Sequence, residues 1–509
     1  MTEVVIGDKV TTIGKGAFGS CEALASVVIG ESVTTIGESA FGECTALTDL
    51  TINSNTIAKK AYNSTSNLAD IFPHITTLTY GSSVTSVGNL SFWVAEGESF
   101  PLEKVTFKGT PAIGFSSFCR NTSLETISGN AKSVSNYSFY QCCKLTSITI
   151  TDDDVLEYSA FNGCTALTSV TLPDNLATIG EQSFYGCSGL TEIVIPETVT
   201  TISSSAFSYC TGLTLVTNEN PTPQSISSNV FTGVTLANVE LDVPYASLSA
   251  YKSADVWKSF GDYFAIGGIK LTDGTAYTQA EDTDEYTMAR YSRTFKNTNW
   301  QSIVLPFSLD YEDWKDNFEI ADLYNVLVYD NDDDGTIDKT TIEAIKLTEG
   351  KSTVPNVPYL IKARVANSSA DQSLTKTGCR LYAADDLVDL ECSNTKQSFV
   401  FHGTYSGVTG EDMYNNGYYA LSSAGQWCQP SSANVSLKPY RSYLEIVDKT
   451  GGYNSAPERL NVVVRGEEEA EGIESIHEEQ AESRYTIAAN MIGLKPGVYS
   501  INGRKIEVK

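Results

Sequence analysis

Three glycines near the start of the chain stand at a spacing that could do phosphate chemistry. Gly14, Gly16 and Gly19 in "IGKGAFGSC" spell G-x-G-x-x-G with a phenylalanine before the third, as in the loop that covers ATP phosphates in protein kinases. Such a loop transfers nothing without a strand lysine, a catalytic-loop aspartate and a magnesium-binding aspartate. None follows. The segment "EAIK" (Glu343 to Lys346) imitates the lysine motif, but it stands more than three hundred residues downstream instead of on the next strand.

Hydrolytic and metal chemistry have little to draw on. Histidine occurs only as His74, His402 and His477, and no G-x-S-x-G elbow accompanies any of them. "HEEQA" at His477 lacks the second histidine of a zinc protease, and the cysteines recur singly instead of as C-x-x-C pairs. Asp152, Asp153 and Asp154 read as a solvated corner, not an acid/base pair. One constellation stands higher. In "DNDDDGTID", Asp330, Asp332, Asp334, the Thr336 carbonyl and Asp338 fall at ligand positions of an EF-hand-like loop, with Ile337 at the apolar eighth place. Position 12 is Thr341, not glutamate, and the flanks read as strands. An Asp-rich hairpin turn held by Gly335 is therefore the competing reading. Calcium at 330–338 is the one cofactor the sequence admits.

The elements that hold these residues explain the glycines. The frame of "IGKGAFGSC" returns as "IGESAFGEC" (36–44), "LEYSAFNGC" (156–164), "IGEQSFYGC" (179–187) and "ISSSAFSYC" (202–210). The glycines vary while the aliphatic, aromatic and cysteine positions persist, as a packed core demands and a phosphate cradle does not. Anchored on Phe18, Phe41, Tyr62, Phe92, Phe118, Phe139, Phe161, Phe184, Phe207 and Phe231, the repeat runs at 21 to 26 residues with one gap of 30, giving ten coils. An aliphatic residue precedes each anchor by five. Cysteine follows by three in six copies, leucine by six in most, and an alternating strand such as "LTSVTLP" (167–173) comes next. A non-helical corner followed by period 2 places one short parallel strand in each coil, and a period in the twenties with L-x-x-I-x-I strands is a leucine-rich-repeat pattern. Six apolar slots cannot offset the ordering of twenty-odd residues, so stacking is obligatory. The repeated cysteine reads as a small, buried, unpaired rung; Cys119 and Cys143 lie off that ladder.

On these residues, 1–267 resembles the BspA-like leucine-rich repeat family, through "SAFxxCxxLTxIxIPxxVTTIG". The resemblance implies a mainly β solenoid and a non-enzymatic cell-surface adhesion protein, outside or on the outer surface of a bacterium, that contacts host extracellular proteins or glycans or neighbouring microbial surfaces. The extra residues at Asn63 to Phe72 and Val94 to Pro101 read as outward loops. Across Leu248, Tyr251, Val256 and Trp257 the period shifts toward 3.6, which predicts a helical cap.

Residues 268–465 carry short apolar strands between Gly, Asn, Asp and Ser, an all-β sandwich-like pattern. Their "LPF", "PYLIK", "GTY" and "YRSYL" resemble a module carried behind such repeats in bacterial surface proteins. Residues 466–484 are an acidic linker. The segment 485–509 resembles a type-nine secretion sorting domain, which would imply export.

With 62 acidic against 34 basic residues, net charge −28, nucleic acid is excluded as a partner. No run of about 18 apolar residues exists to span a membrane, and no signal peptide is visible; the opening within a repeat suggests a mature or trimmed start. The residues flanking each inward strand slot should face outward together: Asp49 and Thr51, Lys104 and Thr106, Thr126 and Ser128, Ser147 and Thr149, Ser169 and Thr171, and Glu192. Short hydroxyls suit any exposed strand; the same stripe is also the broad surface with which repeat proteins hold partners. The alternative is a carbohydrate-binding or carbohydrate-active protein holding glycan on Trp300, Trp427 or Tyr418 of the second unit, although such aromatics more often build core.

Overall fold

The computed structural model describes residues 1–63, 66–279, 286–329, 339–381, 383–393, 397–448 and 459–465, with the strands 497–501 and 504–508. The chain forms two compact units, Met1–Ile266 and Gly267–Lys509.

In the first unit twelve short strands succeed one another, two more than the anchors count. They are β1 (Glu3–Val5), β2 (Ser26–Ile29), β3 (Asp49–Ile52), β4 (Thr77–Tyr80), β5 (Lys104–Phe107), β6 (Thr126–Ser128), β7 (Ser147–Thr149), β8 (Ser169–Thr171), β9 (Glu192–Ile195), β10 (Leu215–Asn218), β11 (Glu240–Val243) and β12 (Asp262–Ala265). They pair parallel in runs of six, two and four. Alternate strand residues point inward, and Val27, Leu50, Leu78, Val105, Ile148 and Ile193 are buried in one continuous core.

Beside the strands runs a second spine. Phe92, Phe118, Phe139, Phe161, Phe184, Phe207 and Phe231 stack ring on ring, with centroids 5.3 to 6.0 Å apart and planes within 10°. Phe18 and Phe41 stack likewise at 5.2 Å. The third coil departs from expectation. Its anchor is Phe72, which is buried and lies 5.0 Å from Phe41, whereas Tyr62 is only half-buried. The extra residues turn inward, because a short helix, Leu68–Ile71, capped reciprocally by Asn67 and Asp70, delivers Leu68 and Phe72 to the core. The second insert also packs inward: Val94 and Phe100 are buried, and Phe100 lies 5.9 Å from Phe92.

Two residues before and two after the anchor the backbone is left-handed. Gly16, Ser39, Leu90, Ser116, Tyr137, Ser159, Gln182 and Ser205 hold the first position. Ser20, Glu43, Arg120, Gln141, Gly163, Gly186, Tyr209 and Gly233 hold the second. This is the role of the central glycine in the opening motif: Gly16 has φ 60°, a conformation that costs other residues about 1 kcal/mol and that phosphate binding does not explain. The bent corners bond coil to coil, as in Tyr137 N to Tyr158 O (3.1 Å), Phe139 N to Ala160 O (2.9 Å) and Gln141 N to Asn162 O (2.7 Å).

The far end is closed by the short helix Leu248–Ser253 and by Trp257 and Phe260, which meet the last ring, Phe231, edge-on at 6.0 and 5.6 Å. The helix does not end the sheet: β12 follows and pairs parallel with β11.

The second unit is a ten-stranded mixed sheet in the order Gln301–Ile303, Tyr359–Ala363, Phe318–Tyr329, Lys339–Lys346, Arg459–Arg465, Trp427–Cys428, Tyr419–Leu421, Arg441–Asp448, Gln397–Thr404, Leu390–Ser393. It is joined by a three-stranded sheet, Ile269–Thr272, Tyr286–Arg293 and Gln372–Cys379. Its quoted motifs are core: Phe307, Tyr359, Tyr405 and Tyr440 are all buried, and the Tyr405 hydroxyl donates to Asn356 Oδ1 at 2.6 Å. A separate antiparallel hairpin pairs Gly497–Ile501 with Arg504–Val508. The acidic linker and the beginning of the last segment lie outside the described residues.

Candidate functional site

Because the solenoid strands pair in register within each of the three runs, the outward residues of each run form two columns. Ser26, Asp49, Thr77, Lys104 and Thr126 are successive partners in one, and Val28, Thr51, Thr79, Thr106 and Ser128 in the other. Ser147 continues against Ser169, and Thr149 against Thr171. Glu192 begins the run through Leu215, Glu240 and Asp262. Asp49, Lys104, Thr126, Ser147, Ser169, Thr171 and Glu192 are exposed, and Thr51, Thr106, Ser128 and Thr149 half-exposed. The structure thus gathers the predicted strand-face residues on one surface whose dominant chemistry is short hydroxyls at strand spacing. One position before three of the strands, threonines tie the coils together: Thr146 Oγ1 donates to Glu125 O, Thr168 Oγ1 to Thr146 O and Thr214 Oγ1 to Thr191 O, all at 3.1 Å.

The cysteine rungs are chemically quiet. Cys142, Cys164 and Cys187 are fully buried, and burial pushes their thiols well above the usual range; Cys210 is pushed up to about 12 and Cys119, off the ladder, to about 11 by the same cause. Buried and protonated, they are not activated as nucleophiles. The ten cysteines whose side chains are described are unpaired.

Asp330, Asp332, Asp334, Thr336 and Asp338 lie outside the described residues; the strands on either side pair antiparallel, with Tyr329 opposite Lys339. Of the aromatics proposed for glycan, Trp427 is buried against Phe401 (5.6 Å) and belongs to the core, a correction to that reading. Trp300 is half-buried under Lys362. Tyr418 is half-exposed and lies 4.7 Å from Tyr443, whose other neighbour is the His402 ring at 4.8 Å. His402 is held at both nitrogens, by Asp389 (2.9 Å) and Glu445 (3.0 Å). Burial opposes its charge, but the two carboxylates prevail and raise its pKa above the ordinary imidazole value. With both nitrogens occupied, this imidazole is fixed as a strand-to-strand clamp rather than poised as a base.

Sequence reasoning missed a cluster at the corners. Phe115, Tyr137, Tyr140, Tyr158, Tyr185 and Tyr209 all lie within three residues of an anchor. Phe115 meets Tyr137 at 6.0 Å, Tyr137 meets Tyr158 at 5.1 Å and Tyr140 at 5.6 Å, and Tyr185 meets Tyr209 at 5.2 Å, all edge to face. Phe115 and Tyr209 are 39% and 46% exposed. Tyrosines recurring within three residues of successive anchors were the available signal.

The family model for BspA type leucine rich repeat regions matches the chain in six copies, over residues 1–125, 72–154 and 132–253. Among solved structures, a leucine-rich repeat protein from Bacteroides ovatus is 21% identical, with 51% of this chain and 76% of that chain covered and a TM-score of 0.32. A leucine rich cell surface protein from Faecalibacterium prausnitzii is 20% identical, with 52% and 79% covered and a TM-score of 0.20. A leucine-rich repeat protein from Eubacterium ventriosum is 22% identical, with 41% and 76% covered and a TM-score of 0.24. None of the curated proteins compared with the chain matches it.

Proposed function

From the premise that this chain belongs, through residues 1–253, to the BspA type leucine-rich repeat family, we propose that it is a non-enzymatic adhesion protein of a bacterial outer surface. It meets host extracellular proteins or neighbouring microbial surfaces with the strand face of its solenoid. The observation that carries this reading is the succession of in-register double columns on the strand face between Asp49 and Glu192, a broad exposed surface without a cleft or an activated nucleophile. Repeat solenoids hold partners on such surfaces by summing many modest contacts.

The test uses the full chain and immobilised extracellular-matrix proteins. Replacing Ser147 and Ser169 with arginine puts two bulky charges in adjacent rungs at exposed positions. It should weaken adhesion at least tenfold with unchanged thermal unfolding; retained adhesion would remove the strand face from the proposal. Release of reducing sugar from any glycan by the purified chain would contradict the non-enzymatic reading.

A second reading, glycan binding by the β unit, is favoured by the Tyr418–Tyr443–His402 stack. Glycan binding lost on Tyr418→Ala and indifferent to the solenoid substitutions would establish it instead.

A further inference from the structure

The cluster from Phe115 to Tyr209 sits at the corners of the solenoid, away from the strand face, and the coil-building pattern does not account for it. Core packing needs the buried anchor ring; it does not need five exposed or half-exposed tyrosines around it. Other coils place Lys15, Ser39, Glu43 and Ser20 at the equivalent offsets.

Three observations narrow what could lie on this surface. The first is charge. In a chain of net charge −28, the corner segments 115–120, 136–141, 157–163, 181–186 and 204–209 carry only Arg120, Glu157 and Glu181. A nearly neutral, aromatic surface suits neither a basic partner nor a strongly acidic one.

The second is the direction of the hydrogen bonds. The amide oxygens are already engaged within the protein: Asn136 Oδ1 accepts from Tyr158 N at 2.9 Å, Gln141 Oε1 from Arg120 Nε at 3.3 Å, and Gln182 Oε1 from the Tyr158 hydroxyl at 3.2 Å. Among the described residues, the NH2 groups of these three amides have no bond partner, nor do the hydroxyls of Tyr140, Tyr185 and Tyr209. The corner therefore turns amide N–H donors outward, beside tyrosine hydroxyls that can donate as well as accept. A glycan presents hydroxyls that donate as well as accept. A proline-rich chain presents carbonyls and lacks N–H groups, so it needs donors alone.

The third is spacing. Coils recur about every 4.8 Å, so every second coil returns after about 9.6 Å. A polyproline II helix has three residues per turn and about 3.1 Å of rise, a repeat of about 9.3 Å. A chain lying along the solenoid axis would bring every third residue to an equivalent place between tyrosines two coils apart. Aromatic surfaces are the recurring receptors of this conformation, because it is preformed and loses little entropy on docking.

We propose that the tyrosine-lined corners from Phe115 to Tyr209 are a docking surface for a proline-rich segment in the polyproline II conformation, lying along the solenoid axis. This surface is distinct from the strand face, and binding here does not depend on adhesion there.

The experiment titrates the full chain with a labelled twelve-residue polyproline peptide, a Gly/Ser peptide of equal length, and maltoheptaose. The polyproline peptide should bind, and Tyr185→Ser with Tyr209→Ser should weaken it at least tenfold. Tyr414→Ser, at a tyrosine of the other unit that is 52% exposed, should leave binding unchanged, as should the arginine substitutions on the strand face. Should the double variant fold poorly, nitration of the unaltered protein gives the same answer: saturating peptide should slow modification of Tyr185 and Tyr209 several-fold and spare Tyr245 and Tyr414. Polyproline binding no tighter than that of the Gly/Ser peptide would overturn the proposal. So would protection of these tyrosines by maltoheptaose alone, which would make the corner a glycan site.

Discussion

The thiol of Cys164 donates to the carbonyl oxygen of Phe139, one coil earlier, at 3.1 Å. That oxygen also accepts the backbone N–H of Cys142, three residues on in its own coil, at 3.1 Å. This anchor carbonyl thus receives one donor from its own coil and one from the next. The pattern recurs at Cys44 and Phe18, Cys142 and Phe118, Cys187 and Phe161, and Cys210 and Phe184, at 3.0 to 3.1 Å. In the Phe118 coil the same position is Asn121, whose Nδ2 reaches Phe92 O at 2.6 Å. The rung therefore needs a small side chain that is also a donor. Cys164→Ala should cost about 1 to 2 kcal/mol, from the lost sulfur volume and an under-satisfied carbonyl. Asn121→Ala should cost more, since the amide also donates to Phe118 O at 2.9 Å. Denaturant unfolding of the two variants measures the order; equal, negligible losses would show that the rung is mere filler.

Left-handed corners give a second expectation of opposite sign at two sites. Glu43 is exposed with φ 61°, so Glu43→Gly should raise solenoid stability by up to about 1 kcal/mol, the relief of strain exceeding the entropy returned to the unfolded chain. Gly186 has φ 74°, and an added Cβ would come no nearer than 3.9 Å to another residue, so Gly186→Ala should lose about 1 kcal/mol through backbone strain alone. Thermal midpoints moving in opposite directions would confirm the assignment, and a stabilising Gly186→Ala would refute it.

The inward frame is legible because its slots tolerate few residue types at fixed offsets: Ile, Phe, Cys and Leu recur at the buried positions, and Asn121 takes a cysteine slot as a buried donor. Spacing alone points to Tyr62 as the third anchor, because an insert that folds back displaces the true anchor to Phe72. The Asn67 and Asp70 pair, three apart, was a readable helix start that would have pointed to Phe72. Corner handedness was hidden, since Ser, Gln, Glu and Tyr do not announce a positive φ as glycine does. Trp427 was ambiguous for a different reason: a tryptophan has the same composition in a core as on a platform, and only its neighbour Phe401 decides. Of the candidate binding surface, period 2 revealed which strand residues face out. The tyrosine corner needed three dimensions, because its members come from five coils at four different offsets.

Burial of the rungs predicts a sharp chemical division among the thiols. Cys142, Cys164, Cys187 and Cys210 should resist iodoacetamide in the native chain at pH 8 and react fully in denaturant, because they are inaccessible and held as thiols. Cys21, Cys143 and Cys428 are partly exposed and should label first. Mass spectrometry of alkylated peptides reads the pattern, and early labelling of Cys164 would show that the solenoid opens far more readily than its packing implies.

Two titrating groups should make the units lose stability in different pH windows. In the solenoid, Asp153 is half-buried, and burial pushes its carboxyl up to about 6, with Asp154 and Glu157 adding repulsion, although the N–H groups of Val134 and Val155 favour the charged form. A folded pKa above the unfolded value means that the stabilising contribution is complete below about 4 and disappears as pH rises through about 6. The raised pKa of His402 has the same sign but a later window: its clamp between Asp389 and Glu445 stabilises the β unit fully below the ordinary imidazole pKa and weakens as pH climbs above it. Asp153→Asn should therefore flatten the solenoid's decline between pH 4 and 6, recovering about 1 kcal/mol at pH 7 after allowance for solvent screening, while leaving the second unit untouched. His402→Phe should flatten the later decline of the second unit alone. Hydrogen exchange followed peptide by peptide from pH 4 to 8 separates the units, and a single shared pH profile, unmoved by either substitution, would rule out both assignments.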